Sequence, residues 1–185
     1  MKTYATYGLA GAAIGALMTL AMFFAGLHGE RIDLFNSWKV QLPMGVLGVA
    51  IGVAVISLGI RAWREAAPDK AMSYGRGFGG GLMISLFNGL ASMVFTILYG
   101  MVINPGFKDA MIASKLAEMQ ESGMPAEAYA MAEKMMNIML SPVAQGASAL
   151  FGTLFFGVIV SLIAAAILKR AAVAPVTDTV VPPAL

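Results

Sequence analysis

SPVAQGASALFGTLFFGVIVSLIAAAILKR, residues 141–170, carries no charged side chain before Lys169. A helix of about 18–20 apolar residues crosses the roughly 30 Å hydrocarbon core of a bilayer, and this stretch exceeds that length. Three more long uncharged stretches precede it, at 3–27, 40–60 and 77–107. Because a lipid core offers the backbone no hydrogen-bond partner, each stretch must be helical. The sequence therefore predicts four transmembrane helices.

The composition agrees with an all-α, polytopic membrane protein. Hydrophobic residues make up 59% of the 185 residues and charged residues 12%, whereas soluble domains average about 45–50% and about 25%. The residues after 170 include three prolines and are too few to build a core, so we expect a disordered tail. We predict one membrane domain over 1–170, with spans at about 4–27, 40–60, 78–103 and 142–168, and a disordered cytoplasmic tail over 171–185.

Several classes of chemistry are disfavoured by what the sequence lacks. The chain has no cysteine, which excludes disulfides, thiol chemistry and cysteine-based metal sites. The centres of the spans carry no Asp, Glu, Lys, Arg or His, although ion-coupled transporters usually place ionisable groups there. We therefore expect no enzymatic activity, no metal and no cofactor. The net charge of +2 does not indicate nucleic acid as a partner, because most basic residues lie beside helix ends.

The distribution of lysine and arginine among the loops predicts the orientation, since cytoplasmic loops carry the excess. One side holds most of them, and the short first loop on the other side has only Arg31 and Lys39. We predict that both termini are cytoplasmic and that the protein lies in a bacterial inner membrane. The residues on the predicted cytoplasmic side are Lys2, Arg61, Arg64, Lys70, Arg76, Lys169 and Arg170.

The loop between the third and fourth spans predicts an extracytoplasmic helical hairpin over 105–140. Asn104-Pro105 and Ser141-Pro142 each place a capping residue before a proline, which is typical of a helix start. Gly123 is suited to ending one helix in a left-handed turn, before Pro125 opens the next. The second helix is apolar over most of its circumference in its last two turns, so the first helix, the membrane surface or a partner must cover it.

Small residues recur at a spacing of four in the predicted spans. Such spacing lets helix backbones approach closely where lipid removes the hydrophobic drive for association. Two interpretations remain open, packing within one chain and a surface for self-association or a partner. The residues concerned are Gly11 with Gly15, Gly48 with Gly52, Gly77 with Gly81, and Ala144 with Ser148 and Gly152.

Asn88 lies near the middle of the third span, with Ser85, Ser92 and Thr96 nearby. An amide at mid-membrane depth needs a polar partner and often bonds across helices. The residue therefore indicates either an interhelical contact or a pathway for water or a small solute.

Four methionines follow one another closely in the second helix of the hairpin: Met131, Met135, Met136 and Met139. Thioethers suit copper(I), but methionine also fills apolar contacts. No histidine or cysteine accompanies the cluster. We therefore favour packing against a partner over a metal site.

The single histidine, His28, lies at the predicted outer end of the first span. A solvated interfacial side chain is the simplest interpretation. A role in pH sensing is the alternative, because histidine titrates near neutral pH.

Motifs from the third span onward resemble a bacterial membrane family catalogued as domain of unknown function 4199. The likeness covers about 4–170, and it is least specific in the first two spans. The family has no assigned activity, so the resemblance implies a fold and a membrane location but no catalytic residue. The motifs that carry it are Ser73-Tyr74-Gly75-Arg76-Gly77-Phe78, Ile103-Asn104-Pro105-Gly106-Phe107, Gly123, Met135-Met136, Met139-Leu140-Ser141-Pro142 and the stretch 157–169.

The function that these observations favour is that of a non-enzymatic structural or accessory subunit. It would associate with itself or with a larger membrane complex, with the lipid bilayer as its other partner. The alternative is an oligomeric channel or a transporter of a small solute or lipid beside Asn88, and a metal- or pH-responsive sensor in the hairpin is the third hypothesis.

Overall fold

The computed structural model describes residues 2–68, 70–123 and 125–170, and the predicted tail at 171–185 lies outside them. A π-helical turn, Tyr99–Ile103, extends the fourth helix. Four helical stretches are each long and apolar enough to cross a bilayer, namely Lys2–Phe24, Trp38–Glu65, Tyr74–Ile103 and Pro142–Leu168. They confirm, for the described residues, an all-helical fold with four candidate spans. The helices are α1 Lys2–Phe24, α2 Ile32–Asn36, α3 Trp38–Glu65, α4 Tyr74–Leu98, α5 Phe107–Glu121, α6 Ala126–Met139 and α7 Pro142–Leu168.

The helix ends follow the predicted residue types, with one correction. Ser141 caps α7, since its Oγ accepts a hydrogen bond from Ala144 N at 3.3 Å. Gly123 adopts the left-handed conformation, with φ of 73°. The prediction that Asn104 caps the hairpin's first helix is wrong, because α5 begins at Phe107. The Asn104 amide instead donates hydrogen bonds to other elements at this end of the bundle.

Helices α4 and α7 run antiparallel and meet along a seam of small residues. A Cβ placed on Gly77 would lie 3.2 Å from Ala165 Cβ, so the two backbones are in close approach. Four residues further along α4, Gly81 faces Ser161, and after four more Ser85 faces Gly157. Each step of four along α4 is matched by a step of four back along α7. This regular register gives the close packing that stabilises helix pairs in lipid.

The apolar core lies at the end of the bundle where the chain crosses from α3 to α4. It contains Val55, Ile56 and Ile60 of α3 and is closed by Met72 of the connection. The Met72 and Arg170 backbones exchange two hydrogen bonds, of 2.9 and 3.0 Å, which tie this connection to the end of α7. We call the end of the bundle that contains this α3–α4 connection the basic end. The opposite end, where α5 and α6 lie, is the hairpin end.

At the hairpin end, α5 packs against the short helix α2, and α6 lies outside both. Ile112 and Leu116 of α5 are buried. Ser114 Oγ donates a hydrogen bond to Asp33 Oδ1 at 2.6 Å, and Asn36 Nδ2 donates one to Ser114 Oγ at 2.9 Å. By contrast, α6 has no buried residue. The hairpin is therefore held in place through its first helix.

Candidate functional site

The first half of α3 is nearly uncovered by the rest of the described chain. Between Trp38 and Ala50 only Val40 and Met44 are partly covered, and the other residues are exposed. The second half differs, because it contributes Val55, Ile56, Gly59 and Ile60 to the core. A span that is packed at one end and free at the other presents a long apolar surface at the hairpin end.

A groove opens beside this free half, between α3 and α7. A Cβ placed on Gly52 would lie 2.6 Å from Phe156 Cε1, so the two helices touch there. One turn nearer the hairpin end, a Cβ on Gly48 or Gly152 would meet no described atom within 4 Å. The helices therefore diverge beyond the Gly52–Phe156 contact and leave a volume of about 240 Å³. This α3–α7 groove is lined by Gly48, Val49, Gly52, Asn88, Gly152, Thr153 and Phe156.

Asn88 of α4 supplies the amide in the groove. Its Oδ1 accepts a hydrogen bond from Ser92 Oγ at 3.1 Å, one turn along the same helix. Its Nδ2 lies 2.8 Å from the position that a Cβ on Gly11 would occupy. Gly11 thus lets α1 pack directly onto the amide. The hydrogen bond with Ser92 stays within α4, the contact with α1 is one of packing, and the Asn88 side chain is also partly accessible at the groove.

The predicted small-residue pairs divide into packed and open members. Gly11 and Gly52 contact neighbouring helices, as do both Gly77 and Gly81 in the α4–α7 seam. The open members are Gly15, Gly48 and Gly152, whose Cβ positions meet no described atom within 4 Å, and Ser148, which is exposed one turn before Gly152. Three predicted residues from different helices, Gly48, Asn88 and Gly152, therefore meet in one groove.

The predicted outer methionines lie on α6, far along the chain from the groove residues of α3. Met131, Met135 and Met139 are 68%, 55% and 63% exposed, and Met136 is partly covered. Met131, Met135 and Met139 form an uncovered apolar face on the hairpin rather than an enclosed site.

The His28 side chain is buried in a cluster of aromatic rings at the hairpin end, so the prediction of a solvated side chain is wrong. Only 4% of its surface is exposed. Its Nδ1 lies 2.6 Å from Tyr99 Oη, and Phe35 and Phe107 pack on the ring with centroids 4.8 and 4.7 Å away. The histidine joins three elements because α2, α5 and the π turn each contribute one of these rings.

Asn104 completes this histidine cluster. Its Nδ2 donates hydrogen bonds to the His28 carbonyl at 3.0 Å and to Tyr99 Oη at 3.1 Å. The Tyr99 hydroxyl thus accepts a hydrogen bond from Asn104 and shares a second one with His28 Nδ1, whose direction depends on which ring nitrogen carries the proton. His28 Nε2 has no hydrogen-bond partner among the described residues. Burial lowers the pKa of His28 below its ordinary value of 6.5.

Comparison with known protein families identifies one matching family model. A family model described as "Protein of unknown function (DUF4199)" matches residues 6–170, which include all the candidate spans except the first few residues of α1. The chain belongs to this family. No curated protein and no solved structure matches it. The DUF4199 match therefore supplies the family and leaves the function to be argued from the structure.

Sequence reasoning missed several residues in this DUF4199 chain. Val49, Thr153 and Phe156 line the groove. They lie one or four residues after Gly48 or Gly152, so a search at these spacings from the glycines would have found them. Ser85 and Ser161 are fully buried in the α4–α7 seam, a role that no local pattern distinguishes from other span serines. The His28 cluster joins residues 71 positions apart, and no local signal reveals that contact.

Proposed function

We propose that this protein is a non-enzymatic integral membrane protein that serves as a structural or accessory subunit. It associates with itself or with a larger membrane complex through the α3–α7 groove and the free half of α3. The observation that supports this proposal is the groove beside the free half of α3, where the open glycines Gly48 and Gly152 lie next to the Asn88 amide.

The physical argument rests on what lipid does and does not favour. Exposed apolar side chains such as Leu42, Val46 and Val49 cost nothing against lipid tails, so their exposure alone requires no partner. Open glycines and a polar amide are different. Gly48 and Gly152 allow another helix backbone to approach closely. Asn88 and Thr153 can form hydrogen bonds with a helix but not with lipid tails. The groove therefore suits a helix better than it suits an acyl chain.

The setting we propose is a bacterial inner membrane, with both termini cytoplasmic and the α5–α6 hairpin outside. The loop charges support this orientation, because lysine and arginine concentrate at the basic end. The groove then lies in the outer half of the bilayer.

The test fills the groove without disturbing the fold. A Cβ placed on Gly48 would meet no described atom within 4 Å, so we expect the single chain to have room for the side chain of Gly48→Leu, whereas a docked helix does not. We expect association to weaken by about tenfold or more, equivalent to about 1.4 kcal/mol. Energy transfer between labelled copies in liposomes measures self-association, and mass spectrometry after gentle purification from native membranes measures binding of other subunits.

The matched control is Gly79→Leu. Gly79 is also open, with no atom of the described chain within 4 Å of its Cβ position, but it lies on α4 at the basic end, outside both the groove lining and the free half of α3. The control should associate like the wild type. If Gly48→Leu retained both self-association and native partners at wild-type levels, the groove would not be an association surface and the proposal would fail.

A further inference from the structure

The uncovered face of α6 has a regular helical pattern. Met131, Met135, Ile138 and Met139 are spaced i, i+4, i+7 and i+8, so they lie on one side of the helix. Their exposed fractions are 68%, 55%, 63% and 63%. We call these four residues the methionine stripe. So large a contiguous apolar surface on a short helix indicates that something outside the described chain covers it.

The other sides of α6 differ from the stripe. Tyr129, Met136 and Leu140 are partly covered, where α6 contacts α5 and the beginning of α7. Glu133 and Asn137 are exposed on a third side. The helix is therefore oriented, with one side held by the protein, one polar side and one apolar side left free.

The hairpin cannot cover the stripe by folding over the bundle, because α5 already occupies that position. Ile112 and Leu116 of α5 are buried, and Ser114 is bonded to both Asp33 and Asn36. Helix α6 lies outboard of α5 and has no buried residue. Its free side accordingly faces away from the bundle.

The stripe is continuous with the apolar surface of the spans. Only Leu140 and Ser141 separate α6 from α7, so α6 ends where a candidate span begins. At that level Met101 and Val102 of the π turn and Val143 of α7 are 56%, 70% and 58% exposed. These are the side chains that meet hydrocarbon if the spans cross a bilayer. The stripe thus extends a lipid-facing surface sideways from the bundle.

We propose that α6 lies on the bilayer surface at the hairpin end, with the methionine stripe inserted at the boundary between headgroups and acyl chains. The occupant of the face is lipid, in the manner of an interfacial amphipathic helix, which buries its apolar side about 5–10 Å into that boundary. This inference needs only that the spans cross a membrane, and it does not depend on the groove being an association surface.

The charges around the stripe specify the kind of lipid contact. Helix α6 carries Glu127, Glu133 and Lys134, so it has no excess of positive charge to attract anionic headgroups. Insertion must then rest on apolar burial, to which flexible methionines contribute readily. Zwitterionic lipid should suffice, and anionic lipid should add little.

The chain lends itself to a direct test because it contains no cysteine. Single nitroxide labels are placed at Met135→Cys or Ile138→Cys in the full chain, in liposomes of phosphatidylcholine alone. The control is Asn137→Cys, which is next to Ile138 but on the polar side. Collision with oxygen, which concentrates in lipid, is compared with collision with a water-soluble nickel complex.

We expect labels on the stripe to favour oxygen over nickel severalfold and the label at 137 to show the reverse. Adding phosphatidylglycerol should leave both ratios unchanged. If labels at 135 and 138 collided with nickel as often as the label at 137, the stripe would face water and the proposal would be overturned. Protection from both reagents, with spin–spin coupling that grows with the labelled fraction, would assign the face to a second copy and would also overturn it.

Discussion

At the scale of single residues, His28 is the group whose chemistry the fold constrains most. Its Nδ1 shares a hydrogen bond with the Tyr99 hydroxyl, and aromatic rings pack around a side chain that is only 4% exposed. Protonation would place a charge in this apolar setting. The charged groups on the same elements, Glu30 and Arg31 beside it, Asp33 on α2, and Lys108 and Asp109 on α5, are partly or fully exposed.

We predict that acidification destabilises the hairpin end through His28. Because the folded chain has the lower His28 pKa, the unfolded chain binds more protons, so stability is full above about pH 6.5 and falls below that value. Thermal unfolding in detergent micelles between about pH 7.5 and about pH 5 measures this loss.

The variant His28→Phe separates this effect from the titration of carboxylates. It lacks the titrating ring, so its stability should depend less on pH than that of the wild type. At neutral pH it should be less stable by about 1–3 kcal/mol, because the buried Tyr99 hydroxyl loses its hydrogen bond with the ring. Parallel pH profiles for the two proteins would show that His28 is not the titrating group.

At the scale of helices, the α4–α7 seam sets the geometry of the bundle. Its backbones can approach because a glycine on one helix faces a serine or another small group on its neighbour, as at Gly81 with Ser161 and Ser85 with Gly157. The side of each helix that faces the seam and the side that faces outward do not differ in polarity. The size of the side chains is therefore the property that selects which sides of α4 and α7 pack together.

We predict that Gly157→Ala destabilises the protein by about 1–3 kcal/mol, the usual cost of overpacking a filled contact. The added methyl group would overlap Ser85 Cβ, which its backbone holds in place, so α4 and α7 must separate. Unfolding in mixed micelles, followed by circular dichroism, measures the difference.

The matched control is Gly152→Ala on the same helix, where no described atom lies within 4 Å of the Cβ position. Alanine favours helix over glycine, so this variant should be as stable as the wild type or slightly more stable. Equal destabilisation by the two substitutions would contradict the seam and point to a general effect of alanine on α7.

At the scale of the whole molecule, the charges separate along the bundle axis. The basic end carries Arg61, Arg64 and Arg76 near the ends of α3 and α4, whereas α5 and α6 at the hairpin end hold more acidic residues than basic ones. This asymmetry is what orients a polytopic protein during insertion.

We predict that the hairpin end is extracytoplasmic. In the cysteine-free chain, Ala126→Cys should react with a membrane-impermeant thiol reagent in intact cells. Ala66→Cys, at the basic end, should react only after the membrane is permeabilised. Both alanines are exposed, so burial cannot explain a difference. The reverse labelling pattern would invert the proposed topology and move the methionine stripe to the cytoplasmic face.

The sequence by itself determined the helical class, the four candidate spans, the Ser141 cap and the Gly123 turn. These features are local: a lipid core demands that each segment satisfy its own backbone hydrogen bonds, and a cap or a left-handed turn depends on a few neighbouring residues. Tertiary structure decided which glycines are packed and which are open, that Gly48, Asn88 and Gly152 share a groove, and that His28 is buried. Those outcomes depend on how each helix is rotated and on its register with its neighbours. A helix that is about equally hydrophobic on every side carries no local signal for either property.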